Sequence, residues 1–261
     1  MTNLSDSPVA LVTGGARGIG LAAAKRFLQQ GWRVALLDID ADTLRRTEAA
    51  LADPARVLAL VADVALPQEV GPAFAALDAA WGRLDALVNN AGIAIFGPIA
   101  QCTPAQWQRV MDVNLSGPFH CTQAAVPLMK RRGGGAVVNI ASISGLRAST
   151  LRVAYGTSKA GVIHLTKQQA AEYGNVGIRV NCVAPGPVDT AMAKEVHTPA
   201  IRAAYHDGIP LNRYGSEEEL AAAIWFLCSP ESTYVNGQTL AVDGGFDTTG
   251  IGLPALRAPQ G

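Results

Sequence analysis

Short, unbroken aliphatic runs, each followed by a stretch of helical patterning, recur through this 261-residue chain and narrow its folding options more than any other feature. Pro8–Thr13, Trp32–Asp40, Arg56–Ala62, Leu84–Gly92 and Gly135–Ser142 carry the runs. Helical segments lie between them: one after Gly20, then Ala41–Ala52, about Pro67–Trp81, and a long one from Thr103 to about Arg131. A strand with one wet face alternates apolar and polar residues, and these runs do not. Both of their faces must therefore be covered, which predicts an α/β fold with a parallel sheet between two helical layers. The length suits one such domain, expected over 1–261 with its core in 8–246.

The first run leads straight into Gly14-Gly15-Ala16-Arg17-Gly18-Ile19-Gly20 and then a helix. Strand, glycine turn and helix in that order form an anion site, because helix N-terminal amides face a diphosphate that a Cβ would hold away. The second run ends at Asp38, 18 residues beyond Gly20, where a carboxylate fits the adenosine ribose hydroxyls and repels a 2′-phosphate. Arg17 pulls the other way, as a possible phosphate ligand, and Asp38 is given the greater weight. NAD is the expected cofactor. Ile39 next to Asp38, Asp63 and Val64 after the third strand, and Asn90-Ala91-Gly92 after the fourth are expected to line the same groove, with Asp63 toward the adenine edge.

Charge is balanced at 21 basic and 21 acidic residues without a concentrated run, so neither nucleic acid nor a membrane surface is an expected partner. No leader-like or membrane-spanning run is present, and a cytoplasmic location is expected. The four scattered cysteines and four histidines show no metal-ligand spacing, and no metal is expected.

Ser142, Tyr155 and Lys159 are the candidates for the chemistry, beside the plain reading of Tyr-x-x-x-Lys as a common helical pair. The last two are four apart on one helix face, which sets a phenol beside an ammonium. A cation favours the phenolate, and bringing a tyrosine from about 10 to roughly 7 takes about 4 kcal/mol. Ser142 ends a buried strand, where ligands sit in open α/β sheets. Asn114, inside the long helix, implies a local kink or a buried polar partner.

Taken in order, the glycine turn, Asp38, Asp63, the Asn-Asn-Ala-Gly stretch, Asn114, Ser142, Tyr155 and Lys159 resemble the short-chain dehydrogenase/reductase family, in its form with a Thr-Gly-x-x-x-Gly-x-Gly motif, here Thr13–Gly20. The resemblance spans about residues 8–246. It implies a Rossmann-type, doubly wound seven-stranded parallel sheet, a homotetramer, and a catalytic set of Asn114, Ser142, Tyr155 and Lys159, with Lys159 also on the nicotinamide ribose and Asn114 holding a water. It also makes Val183–Thr190 the nicotinamide-side loop, with Pro185, Gly186, Val188 and Thr190 as cofactor contacts, and Val242–Gly245 part of the last strand region.

The implied activity is hydride transfer between NAD(H) and a secondary alcohol or ketone of a small polar substrate, preferably a sugar, polyol or sugar acid. Ser142, Ser144, Arg152 and Tyr155 are expected to contact it. Arg152, three residues before Tyr155, either reaches over the pocket to hold a carboxylate or faces solvent or a subunit contact. Residues 191–215, with His197, Tyr205 and His206, form the expected substrate lid. The tail 247–261 either frays or crosses an oligomer interface. Two alternatives stand beside this reading: a 3-oxoacyl-carrier-protein reductase using NADPH, and a dinucleotide-binding sensor or scaffold without turnover.

Overall fold

A computed structural model describes residues 6–250. In chain order the strands and helices are β1 (Val9–Thr13), α1 (Gly18–Gln29), β2 (Arg33–Asp38), α2 (Ala41–Leu51), β3 (Val57–Val61), α3 (Pro67–Trp81), β4 (Ala86–Asn89), α4 (Pro104–Met111), α5 (Gly117–Arg131), β5 (Gly135–Ile140), α6 (Ile143–Leu146), α7 (Val153–Tyr173), β6 (Ile178–Pro185), α8 (Ala191–Val196), α9 (Pro199–Gly208), α10 (Glu217–Cys228) and β7 (Thr239–Val242). The seven strands form one sheet in the order β3-β2-β1-β4-β5-β6-β7, and every neighbouring pair is parallel. This is a single-domain, Rossmann-like α/β fold.

The pleat explains the unbroken aliphatic runs. Ala10, Val12, Val34 and Leu36 pack on one face with Phe27 of α1 and Leu220 and Ile224 of α10, while Val9, Leu11, Ala35 and Leu37 pack on the other with Phe74 of α3 and Ala125 of α5. Consecutive residues point to opposite faces, so a strand between two helical layers buries nearly every side chain, and the few polar ones, such as Asn89 and Asn139, bond to each other and to helix side chains. Complete burial of one such leucine is worth about 1.5–3 kcal/mol.

Strand order reverses between β1 and β4, which opens a crevice beyond their carboxyl ends. Thr13 stitches its rim, since the Thr13 hydroxyl accepts from the Asn90 and Ala91 amides at 3.0 Å each. Gly14 and Gly18 hold φ of +61° and +59°, a left-handed turn that side chains disfavour. Gly20 serves packing: a Cβ there would lie 2.2 Å from the Gly14 carbonyl oxygen.

One expectation needs correction. The helix anticipated over 103–131 is interrupted by a π-helical turn, Asp112–Ser116, between α4 and α5. Asn114 sits in that turn and is fully buried. Its Oδ1 accepts from the Ile93 amide at 2.8 Å, and its Nδ2 donates to the Ile93 carbonyl at 2.9 Å and to Ser158 Oγ at 3.0 Å. Kink and buried partners are thus two aspects of one feature, because the widened turn presents the amide to the loop after β4.

Among the described residues no helix is long and apolar enough to cross a membrane. Residues 251–261, most of the tail, lie outside the described residues, as does any interface role for them.

Candidate active site

The crevice continues as a groove of about 470 Å³, running from the glycine turn past the ends of β2, β4 and β5 to α8 and α9. The end at the glycine turn is suited to an anion. α1 begins without a side-chain cap or an acidic residue in its first turn, whereas α2, α4 and α10 are capped by Asp40, Thr103 and Ser216. Its first amides therefore keep their hydrogen-bonding capacity for a ligand, over a turn whose glycines leave room.

At the end of β2, Asp38 is buried and held rigidly. Its Oδ2 accepts from the Ala16 amide and its Oδ1 from the Asp40 amide, both at 3.1 Å. Arg17 is exposed, and its guanidinium lies 3.8 Å from the Asp40 carboxylate. Asp63 accepts from the Ala65 amide at 3.0 Å and forms a 2.8 Å ion pair with Arg109 of α4. Arg109 also lines the groove, together with Ile39 and Val64, and sequence reasoning did not find it. Asp63 and Arg109 are 46 positions apart, so no local pattern could have signalled the pair.

The end beside β4 and β5 gathers Ser142, Tyr155 and Lys159, the candidate catalytic set, against the groove wall, with Asn90, Ala91, Gly92, Pro185, Gly186, Val188 and Thr190 around them. Ser142 follows β5 by two residues and caps α6, accepting from the Ser144 amide at 3.1 Å. Lys159 Nζ donates to the Ile140 carbonyl at 2.7 Å and lies 5.7 Å from the Tyr155 ring centroid. Gly92 covers this base, since a Cβ there would stand 3.3 Å from Asn114 Oδ1 and 3.4 Å from Lys159 Nζ.

The electrostatics differ from the simple picture of a lysine softening a phenol. Burial is the largest influence on Tyr155 and pushes its phenol above the ordinary range, opposed by a hydrogen bond from Ser142 and then by the Arg152 charge. Lys159 is itself brought down to about 8 by burial, partly offset by Cys182. The influences favouring the phenolate are thus the serine hydroxyl and a guanidinium on the substrate side.

Two expected residues lie elsewhere. Ser144, expected to touch substrate, turns its hydroxyl to Ser149 at 2.9 Å and lines a separate depression with Arg147 and Leu146. Its amide, spent on Ser142, is its contribution to the site. The Asn114 side chain is occupied by Ile93 and Ser158, so it anchors the loop that carries Gly92 and does not face the groove.

On the substrate side, Arg152 lines the groove with its guanidinium 4.9 Å from the centroid of the Phe96 ring. His197 stacks on Tyr205 at 5.4 Å, and its Nδ1 is 3.0 Å from the Tyr214 hydroxyl. Burial, then Arg152 and Arg202, lower the His197 pKa below its ordinary value. The excursion through α8 and α9 is pinned at both ends: Val188 bridges Gly215, the Asp189 amide donates to the Gly215 carbonyl at 2.9 Å, and Gly215 returns a bond to the Pro187 carbonyl at 3.0 Å.

Groove, glycine cradle and Ser-Tyr-Lys cluster on this sheet define a nicotinamide-dependent oxidoreductase of the short-chain class, and the chain belongs to the short-chain dehydrogenase/reductase family. A family model described as enoyl-(acyl carrier protein) reductase matches residues 14–247. The chain is 42% identical to 2-(R)-hydroxypropyl-CoM dehydrogenase of Xanthobacter autotrophicus over 248 residues, 92% of this chain and 98% of that protein. It is 37% identical to a 3-oxoacyl-acyl-carrier-protein reductase of Chlamydia muridarum over 247 residues, 94% of this chain and 99% of that one. Among solved structures, a gluconate 5-dehydrogenase from Burkholderia cenocepacia, in complex with NADP and tartrate, superposes with a TM-score of 0.88 at 34% identity, covering 94% of this chain and 96% of that one. The protein is therefore an oxidoreductase acting on secondary alcohols or the matching ketones.

Proposed function

We propose that the protein is an NAD-dependent dehydrogenase that oxidises a secondary hydroxyl of a small polar substrate, with a sugar, polyol or sugar acid preferred. The observation that carries this reading is the meeting of Ser142, Tyr155 and Lys159 in one groove whose far end holds the Asp38 carboxylate. Gly14, Arg17, Gly18, Ile19, Asp38 and Asp63 would hold the dinucleotide, with Asn90 to Gly92 and Pro185 to Thr190 along the nicotinamide half. When bound, that group supplies the acceptor for the carbinol hydride.

The chain's own residues handle the proton. Ser142 hydrogen-bonds the reacting oxygen and fixes it against the phenol. Tyr155 accepts the hydroxyl proton during oxidation and returns it during reduction. Lys159, anchored on the Ile140 carbonyl, holds a positive charge 5.7 Å from the centre of the Tyr155 ring. Asn114 keeps Gly92 at the distance that leaves the ammonium room.

NAD is favoured over NADP because the carboxylate at the ribose end is fixed by two amides and the nearby Arg17 has an acidic partner. An anionic substrate is favoured by Arg152, and the tartrate that accompanies the gluconate 5-dehydrogenase is in keeping with that chemistry. α8 and α9 act as a lid hinged at the Val188–Gly215 bridge. The homotetramer belongs to the same proposal, and Phe226, Tyr234 and Leu240, exposed around β7 and α10, offer an apolar face for it.

The decisive experiment follows NADH formation over a panel of polyols, aldonic and keto-deoxy acids and hydroxy acids, with NADP in parallel. No turnover on any, with NAD still bound, would favour a dinucleotide-binding scaffold. Preferential NADPH oxidation with 3-oxoacyl thioesters would favour the acyl-carrier-protein reductase reading, which relatives of that name support. Arg152→Ala should lower kcat/KM for acids at least tenfold while sparing neutral polyols.

A further inference from the structure

Glu217 is an acidic residue at the place where the groove is otherwise built for an anion. It begins α10, two residues beyond the Gly215 pin of the lid, and its side chain lines the groove opposite the glycine turn. A Cβ on Gly18 would lie 3.8 Å from Glu217 Oε1, so the carboxylate overlooks the turn directly. Its neighbours in the first turn differ: Glu219 is committed to Arg213 and to the Ser216 cap, and Glu218 is exposed off the groove.

We propose that Glu217 is an electrostatic gate on the cofactor: ionised, it repels the dinucleotide diphosphate and speeds its release, and protonated, it lets the diphosphate settle. The proposal rests on reading the groove as a dinucleotide site. The groups that face Glu217 are Glu218 on its own helix, Lys194 of α8, Lys25 of α1, and Asp189 before the lid. Burial and then Glu218 raise its pKa, and the two lysines lower it. A bound diphosphate adds negative charge to this set. By linkage, it raises the affinity of Glu217 for a proton as much as protonation raises the affinity for the diphosphate.

The placement also couples cofactor release to the lid. Lys194, whose charge acts on Glu217, is paired with the Asp189 carboxylate at 3.4 Å from its Nζ, and Asp189 also holds Arg202 of α9 at 2.7 Å. Movement of α8 therefore changes how well the Glu217 charge is compensated.

ADP-ribose is the suitable probe, because its diphosphate keeps a constant charge between pH 5.5 and 8 and it lacks the nicotinamide. Its Kd is measured calorimetrically on the full chain at both pH values for wild type, Glu217→Gln, Glu217→Ala and Glu218→Gln. Wild type should bind more weakly at pH 8. Both Glu217 variants should bind roughly three- to tenfold more tightly than wild type at pH 8, with the pH dependence flattened. Glu218→Gln should follow wild type. Unchanged or weaker binding by the Glu217 variants would overturn the gate, as would equal tightening by Glu218→Gln, which would reduce the effect to the general charge of the helix start. ADP-ribose bound by none of the four would overturn the dinucleotide reading of the groove itself.

Discussion

Replacing Asp38 by asparagine tests the cofactor assignment with little change of shape. At about 5 Å and an effective dielectric of about 20, a carboxylate opposes a doubly charged 2′-phosphate by on the order of 6 kcal/mol before screening. If a third survives solvent and salt, about 2 kcal/mol remains, a discrimination of roughly 30-fold. The carboxylate cannot swing away to relieve this, because two amides hold it at 3.1 Å. Asparagine removes the charge but must turn its NH2 toward one of those donors, which lowers stability by about 1–3 kcal/mol. The assay is kcat/KM for NAD and for NADP at saturating alcohol, with thermal melting to verify folding. The NADP/NAD ratio should rise 10- to 30-fold. A folded variant with an unchanged ratio would refute the reasoning and shift the selectivity to Arg17 and Asp40.

Three further outcomes follow from the catalytic end. Gly92→Ala should cut kcat at least tenfold with little loss of melting temperature, because its methyl crowds Lys159 Nζ and Asn114 Oδ1 at a groove surface and not in the core; wild-type kcat would exclude the crowding. Tyr155→Phe should abolish turnover yet leave the ADP-ribose Kd within about twofold, and in wild type the rate of alcohol oxidation should climb with pH from 7 to 9, since burial holds the phenol protonated and the base form must be generated; a flat oxidation profile would contradict this. Lys159→Met should lose activity while shifting the pH dependence of stability. A buried lysine brought from 10.5 to about 8 costs the folded state on the order of 3 kcal/mol at pH 7. That cost is in force below about pH 8 and fades as pH rises toward 10.5. The stability of the cofactor-free Met variant relative to wild type should therefore fall across that interval, and a constant difference in denaturation midpoint would count against the buried charge.

The sheet was readable because its chemistry is local. A run such as Val34-Ala35-Leu36-Leu37 has apolar residues at successive positions, and only a strand covered on both sides uses them all. Asp38 and Ser142 were legible for a related reason: a polar residue closing such a run must lie at a carboxyl edge, where the crevice opens. What escaped was set by contacts distant in sequence. Asn114 signalled a kink or a buried partner within the long helix, but not the π form of the turn at Asp112–Ser116 nor its partners Ile93 and Ser158, which lie 21 and 44 positions away. Ser144 reads like a second pocket hydroxyl, yet its amide is what Ser142 requires. Glu217 was hidden among three glutamates that look like an ordinary helix start, and only the approach of α10 to the glycine turn distinguishes it.

The widened turn has one more implication. Because it holds a surplus residue, the angular relation between the helix before it and the helix after it depends on how many residues the stretch contains more than on which ones they are. Substitutions at Val113 or Leu115 should be absorbed locally. Loss of a single residue there would restore regular winding and rotate Asn114 by about 100°, releasing Ile93 and lifting the roof from the lysine while every catalytic letter stayed in place.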